Sequence, residues 1–393
     1  MNHYYRPTRA EISLDALQYN INALRQNLRK GTKTLASVKA NGYGHGVIEM
    51  SKAAIKFGVD FLGVAFLDEA LQLRRAGIVA PILVLGYVAP QDLGLAMEHN
   101  VSIAFFAEEQ LVAAANLPIS DTQLKVHVKI DTGMGRLGLQ TFESVVSFTE
   151  RALATPQIKV EGMFTHYSKA DEQDKTYTQK QFEKFNRVLM YAREQKWDID
   201  LIHAANSAAS MDTPEWSGDM ARLGIAIYGL YPSNEVNKEQ IKLKPVLTLK
   251  TEVVHVKEMQ EESGISYGAR HYAKANDWVG TIPIGYADGF SRMLSGKVEV
   301  LIAGERVKVL GSICMDQCMI DLEPIRHKFD TIDQVLHQEV VIIGQQGEQN
   351  ISVEEIADKL GTINYEVATM LASRIPREYI EDGHTIAVSN LIL

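Results

Sequence analysis

Between residues 34 and 230 one alternation recurs: a short β-rich apolar run, then text with helical spacing. The runs are "TLASVKA" (34–40), "FLGVAF" (61–66), "PILVLGY" (81–87), "VSIAFF" (101–106), "LKVHVKID" (124–131), "KVEGMFTHYS" (159–168), "DLIHAAN" (200–206) and "LGIAIYGL" (223–230). Stretches such as "PQDLGLAMEHN" and "DEQDKTYTQKQFEKFNRVLMYAREQ" lie between them. Strands separated by helices are joined by crossovers, and crossovers make parallel sheets. A doubly wound open sheet shows the same alternation, but a count of eight favours a (β/α)8 TIM-like barrel. Ahead of the first run, "SLDALQYNINALRQNL" (13–28) offers Ser13 as a helix cap and Leu14, Leu17, Ile21, Leu24 and Leu28 at helical spacing.

After residue 230 the pattern changes. "YPSNEVNKEQIKLKP" (231–245) is polar and reads as a linker, and the text beyond it is strand-rich. One late helix is expected in "SVEEIADKLGTINYEVATML", with Ser352 as cap and Glu355 at the capping-box position. The expectation is an α/β chain: a barrel over residues 1–240 and a mainly β C-terminal domain over 241–393. A length of 393 residues, too great for one ordinary core, agrees. A net charge of -9 argues against a nucleic-acid surface. No apolar run approaches the ~20 residues that span a bilayer. "MNHYYRPTRAEI" has no apolar signal-peptide core, so a cytoplasmic protein is expected. Cys314 and Cys318 sit four apart in "GSICMDQCMID", on one face if that stretch is a strand. No second Cys/His pair completes a zinc site, so neither a disulfide nor a metal is expected.

Barrel chemistry collects at the C-terminal ends of the strands. Lys39 stands at the first such end, before the glycines of "KANGYGHG"; a phosphate-cradling P-loop has its lysine after them, so that reading fails. Arg136 lies past the fifth run, His166 ends the sixth, Asn206 and Ser207 end the seventh, and Gly224 and Ile225 open the eighth. Each has an ordinary structural reading: a solvated lysine, a satisfied histidine, a helix cap, a turn. Their shared rim is what points to a site. A lysine at a barrel mouth suits Schiff-base chemistry. Hydroxyl and N–H groups after strands seven and eight suit a phosphate. Together they suggest pyridoxal 5'-phosphate.

At these residues "SVKANGYGHG" resembles the cofactor-binding signature of the alanine racemases. "VHVKIDTGMGRLG", "FTHYSKADE", "HAANSAA", "RLGIAIYGLYP", "SYGARHYA", "IPIGYADG", "GSICMDQCMIDL" and "TINYEV" resemble that family's blocks in order, from residue 37 to near the C-terminus. The resemblance implies a barrel-plus-β-domain homodimer that binds pyridoxal 5'-phosphate and interconverts L- and D-alanine, the latter for peptidoglycan. Racemisation removes a proton from one face of Cα and delivers one to the other, so two bases are the minimal design. By resemblance these are Lys39, which also holds the cofactor, and Tyr267, with His166 contacting the tyrosine. Arg222 resembles the arginine facing the pyridine nitrogen, which keeps the ring a weaker electron sink. Tyr43, Asn206, Ser207, Gly224, Ile225 and Tyr365 match the cofactor shell. Arg136 and the backbone of Met315 match the substrate-carboxylate site. Tyr286 and Tyr365 match a narrow entrance, with Asp171 and Arg292 farther out. Lys129 resembles a lysine that is carbamylated in several members. The resemblance leaves as rivals a broader or serine-preferring racemase of the same fold, a decarboxylase of that fold, and a non-catalytic pyridoxal-phosphate-binding protein.

Overall fold

A computed structural model describes residues 4–392. Met1–His3 and Leu393, the ends of the two expected domains, lie outside the described residues. Contacts divide the chain into two units. One holds Ala16–Gly42 and Val47–Lys244; the other holds the N-terminal residues through Asp15, the short stretch Tyr43–Gly46, and Pro245 onward.

In chain order the strands begin with β1 (Arg9–Ser13). There follow β2 (Lys33–Ser37), β3 (Phe61–Val64), β4 (Ile82–Val84), β5 (Val101–Phe105), β6 (Leu124–Lys129), β7 (Ile158–Phe164), β8 (Leu201–His203) and β9 (Met220–Leu223). Strands β2 to β9 form one parallel sheet in the order β8-β7-β6-β5-β4-β3-β2-β9, an eight-stranded, nearly closed barrel. The pairing of Leu35 with Arg222 sets β2 beside β9. Strands β3 to β5 are buried at every position, as strands covered on both faces must be. Leu35, Phe61, Leu83, Leu201 and Met220 pack together inside.

The eighth strand differs from the sequence reading. It is "MARL" at 220–223, and the apolar run after it forms a 3-10 turn over Ile225–Tyr228. Gly224, at φ -107 and ψ -113, leaves the extended region and ends the strand. Gly224 and Ile225 therefore follow the eighth strand rather than open it. Similarly β2 stops at Ser37 and β7 at Phe164, so Lys39 and His166 stand two residues past their strands.

The other unit is built on an eleven-stranded sheet. Strand β1 lies in it, although residues 1–240 were expected to belong to the barrel. It pairs antiparallel with Leu247–Glu252 and parallel with Arg377–Glu381. Its inward residues Ala10 and Ile12 are fully buried, which is what fixes its register. The single late helix is two, Val353–Leu360 and Asn364–Thr369. Ser352 caps the first by accepting the Glu355 N–H at 3.1 Å. Gly361, at φ 73, ends it in the left-handed conformation that glycine adopts at least cost. Cys314 precedes the strand that begins at Cys318, and both thiols are free.

Candidate active site

The barrel's C-terminal rim carries a cluster of cationic side chains. After β2 the backbone runs Ala40, Asn41, Gly42 and Tyr43 at φ 52, 53, 61 and 52, a short left-handed turn closed by the Gly42 N–H donating to Val38 O at 2.8 Å. Lys39 leads into this turn, half-buried. Burial lowers its pKa first, the nearby Arg136 lowers it further, and Glu69 opposes both.

Arg222, on β9, is 5% exposed. Its Nη1 donates to His203 Nδ1 at 3.0 Å; its Nη2 lies 2.8 Å from Thr165 O, 2.9 Å from Ala204 O and 2.9 Å from His166 Nδ1. Burial pushes its pKa down to about 9, which leaves it charged at neutral pH. Its Nε has no acceptor among the described residues. A charged Arg222 can only donate, so His203 and His166 both receive at Nδ1 and, when neutral, hold their proton on Nε2. Burial, and then Arg222 itself, hold both imidazoles well below their usual pKa and therefore neutral.

The donor direction propagates. His203 Nε2–H donates to His127 Nδ1 at 2.8 Å, and His127 Nε2–H donates to Glu161 at 3.0 Å. Ser102 gives the same Glu161 oxygen a second bond at 2.6 Å. Burial works against the ionised form of Glu161, but these two donors more than offset it and bring its pKa to about 2. A chain of hydrogen bonds thus runs from Arg222 through His203 and His127 to a carboxylate. Gly162 permits it, because a Cβ there would stand 2.3 Å from His127 Nδ1. The Phe164 ring stacks on His203 at 4.7 Å and lies 5.4 Å from the guanidinium of Arg222 and 4.8 Å from the amine of Lys129.

Lys129, at 4% exposure, makes one hydrogen bond among the described residues, to Ile130 O at 3.4 Å. Burial, then Arg222 and Arg136, drive its pKa well below normal. Arg136 sits on a loop folded by Asp131, whose carboxylate accepts the N–H groups of Gly133 and Gly135 at 3.0 Å each. Its exposed guanidinium makes no hydrogen bond or ion pair among the described residues. After β8, Asn206 caps Ser207–Asp212 by accepting the Ala209 N–H at 3.0 Å. Ser207 Oγ accepts the Gly224 N–H at 2.8 Å, joining the two places where a phosphate was expected. Ser207 and Ile225 each begin a helical turn, where the first N–H groups lack an intrahelical acceptor.

Asp171 lies in the barrel unit; Tyr43, Tyr267, Tyr286, Arg292, Met315 and Tyr365 belong to the other unit. Tyr43 and Tyr365 have ring centroids 6.3 Å apart. Tyr286 and Met315 are held by one lock: the Tyr286 and Ala287 N–H groups donate to Cys314 O and Met315 O, each at 3.0 Å. The buried Asp288 accepts from the Gly285 N–H at 3.0 Å, Arg374 at 2.7 Å and Arg6 at 2.8 Å. Arg374 also reaches Asp316 at 2.6 Å. Tyr267 is 72% exposed and its hydroxyl has no hydrogen-bond partner among the described residues. The structure brings together Lys39, Lys129, Arg136, His166, Asn206, Ser207, Arg222, Gly224 and Ile225 on one rim. Tyr267, Tyr286 and Met315 lie in the other unit. The sequence analysis missed His203, His127, Glu161 and Asp131; the HxK of "VHVKID" and the His of "LIHAAN" were visible, but nothing in the text marked them as partners.

A parallel barrel with this cationic rim is joined in one chain to a β unit presenting exposed tyrosines. Two family models match the chain, "Alanine racemase, N-terminal domain" over residues 12–232 and "Alanine racemase, C-terminal domain" over 246–379. The alanine racemase of Halalkalibacterium halodurans is 43% identical, with all of both chains covered. A Bacillus anthracis alanine racemase crystal structure, with bound L-Ala-P, superposes at a TM-score of 0.92 and 38% identity, covering 100% of this chain and 99% of that one. A histidine racemase from Leuconostoc mesenteroides superposes at 0.86 with 30% identity, covering 97% of this chain and 100% of that one. The chain belongs to the alanine racemase family.

Proposed function

We propose that this enzyme interconverts L- and D-alanine with pyridoxal 5'-phosphate, as a cytoplasmic homodimer whose D-alanine serves peptidoglycan synthesis. The observation that carries the reading is Arg222: a buried, charged guanidinium with four protein acceptors and an unused Nε at a barrel mouth that also holds Lys39. Such an Nε suits a neutral ring nitrogen. Lys39 would hold the cofactor's aldehyde carbon. The Ser207 hydroxyl and the N–H of Ile225 would hold its phosphate, with Asn206, Gly224, Tyr43 and Tyr365 completing the shell. When bound, pyridoxal 5'-phosphate withdraws electrons and makes the Cα proton of an attached amino acid removable.

The chain supplies the remaining steps. Arg136 receives the substrate carboxylate, aided by the backbone of Met315. Carbamylation of Lys129 would give it an anion that orients Arg136; its depressed pKa keeps the amine free to react with carbon dioxide. Lys39 moves a proton at one face of Cα and Tyr267 at the other. A phenol needs help to act as a base near neutrality, since its usual pKa is about 10. The Nε2–H of His166 is the group to stabilise its ionised oxygen. Arg222 never protonates the ring nitrogen and so limits side reactions. Because Tyr267 is exposed and without a partner, we assign each site its barrel residues from one subunit and Tyr267 and Met315 from the other. Tyr286 and Tyr365 narrow the approach and suit a methyl side chain.

Polarimetry on L-alanine, with and without added pyridoxal 5'-phosphate, tests the reading. Cofactor-dependent loss of rotation is expected; turnover of L-serine above that of L-alanine would replace the substrate, and no rotation change with either would end the proposal.

A further inference from the structure

The turn after β2 is strained, and something must hold it. Ala40, Asn41 and Tyr43 carry side chains in the left-handed region, which costs roughly 1–2 kcal/mol per residue. Such conformations persist where the surroundings over-determine them, and they concentrate at working sites. One restraint is local: Asn41 Oδ1 accepts the Val47 N–H at 2.9 Å. Another comes from a different element. Glu69 Oε1 accepts the Ala40 N–H at 2.7 Å, and Glu69 Oε2 accepts the Ala65 N–H at 2.7 Å.

Glu69 lies in the first turn of the Leu67–Arg75 helix, whose capping residue Phe66 makes no side-chain capping bond. A carboxylate there ordinarily serves its own helix N-terminus. This one gives only its Oε2 to that end, at Ala65. Its Oε1 goes to the turn after the neighbouring strand. The carboxylate therefore ties the C-terminal ends of β2 and β3 together, one residue from Lys39.

We propose that Glu69 is a positioning residue for Lys39: it clamps the strained turn and so fixes the direction in which the lysine amine meets the cofactor. This rests on the reading that Lys39 holds pyridoxal 5'-phosphate. Glu69 also acts on Lys39 through its charge, favouring the ammonium against burial and Arg136, the other charged group that bears on it.

The two effects have opposite signs in a Glu69→Gln variant. Loss of the charge leaves Lys39 more often as free amine, which speeds capture of an aldehyde at neutral pH. Loss of a clamp bond slows it. Positioning requires the second effect to win. Cofactor-stripped, full-length protein is mixed with pyridoxal 5'-phosphate and the absorbance change is followed; Lys39 is titrated in parallel by NMR on lysine-labelled protein. The expected result is a Lys39 titration moved to lower pH and a capture rate nonetheless lower by about tenfold, the scale of one charge-assisted hydrogen bond. A rate unchanged or raised overturns the proposal. If the parent protein captures no cofactor, the proposed function fails, and the clamp is judged separately in unmodified protein. There the amide protons of Ala40 and Ala65, bonded to one carboxylate, should exchange slowly and shift together on acid titration. Rapid exchange at Ala40, or independent shifts, overturns the clamp.

Discussion

Among the described residues, Arg222 gives its hydrogen bonds through its two terminal nitrogens and keeps Nε clear. The rigidity of that arrangement depends on Glu161, at the other end of the donor chain. Glu161 carries a pKa depressed from 4.5 to about 2, so its contribution to stability is complete above its unfolded value and is lost as pH falls toward 2. Its side chain is 14% exposed, so solvent screens it little, and the contribution is on the order of 3 kcal/mol. The gap in unfolding free energy between the parent protein and Glu161→Gln should therefore close as pH is lowered from 5 to 2. A gap independent of pH would mean that the carboxylate charge is not what the histidines read. Tyr267 makes a second prediction at this scale. Replacing it with Phe should keep the cofactor and its colour but cost ~10²–10⁴-fold in racemisation, the usual range for a general base. A loss below tenfold removes it from the proton path. The rim residues were legible because each sits beside a run that reads as a strand. Glu161, His127 and His203 were not: their meaning lies in contacts between strands, and a lone histidine in a strand reads as a packed one.

Elements ending on a glycine show where pattern reading stops. The text "SVEEIADKLGTINYEVATML" has helical spacing throughout, and only the left-handed Gly361 divides it. A Cβ at this position would meet nothing within 4 Å, so a Gly361→Ala variant should lose only the backbone preference, about 1 kcal/mol in urea unfolding, with activity retained. At Gly285 the same substitution would place a Cβ 2.3 Å from Cys314 O, and the loop carrying Tyr286 would have to move. The eighth strand was misplaced by three residues for a related reason. "LGIAIYGL" is apolar enough for a buried strand, yet the buried run continues through a 3-10 turn that spacing alone does not separate from one. Eight strands and their parallel order were readable, because each crossover is long and helical.

For the whole molecule, the proposed sharing of sites gives a numerical test. Lys39→Ala dimers and Tyr267→Phe dimers should each be nearly inactive. In a hybrid, one site collects both defects and the other neither, so random reassortment of equal amounts should restore roughly a quarter of parent activity, by the symmetry of an isologous dimer. No recovery under conditions that demonstrably exchange subunits would place each complete site within one chain. The position of β1 in the large β-sheet, overlooked in sequence because a five-residue strand says nothing of its partner, bears on the chain's history during synthesis. Ala10 pairs with Arg377, so β1 leaves the ribosome and waits for a neighbour made about 370 residues later. At 5–20 residues per second that delay is roughly 20–70 s. Its antiparallel partner, Leu247–Glu252, is made earlier but still after the entire barrel segment, which can fold while both edges of β1 are open. A strand made early is thus among the last to complete its pairing, and a nascent chain stalled before residue 377 holds an open edge on β1 that only a chaperone or another unfinished chain can cover.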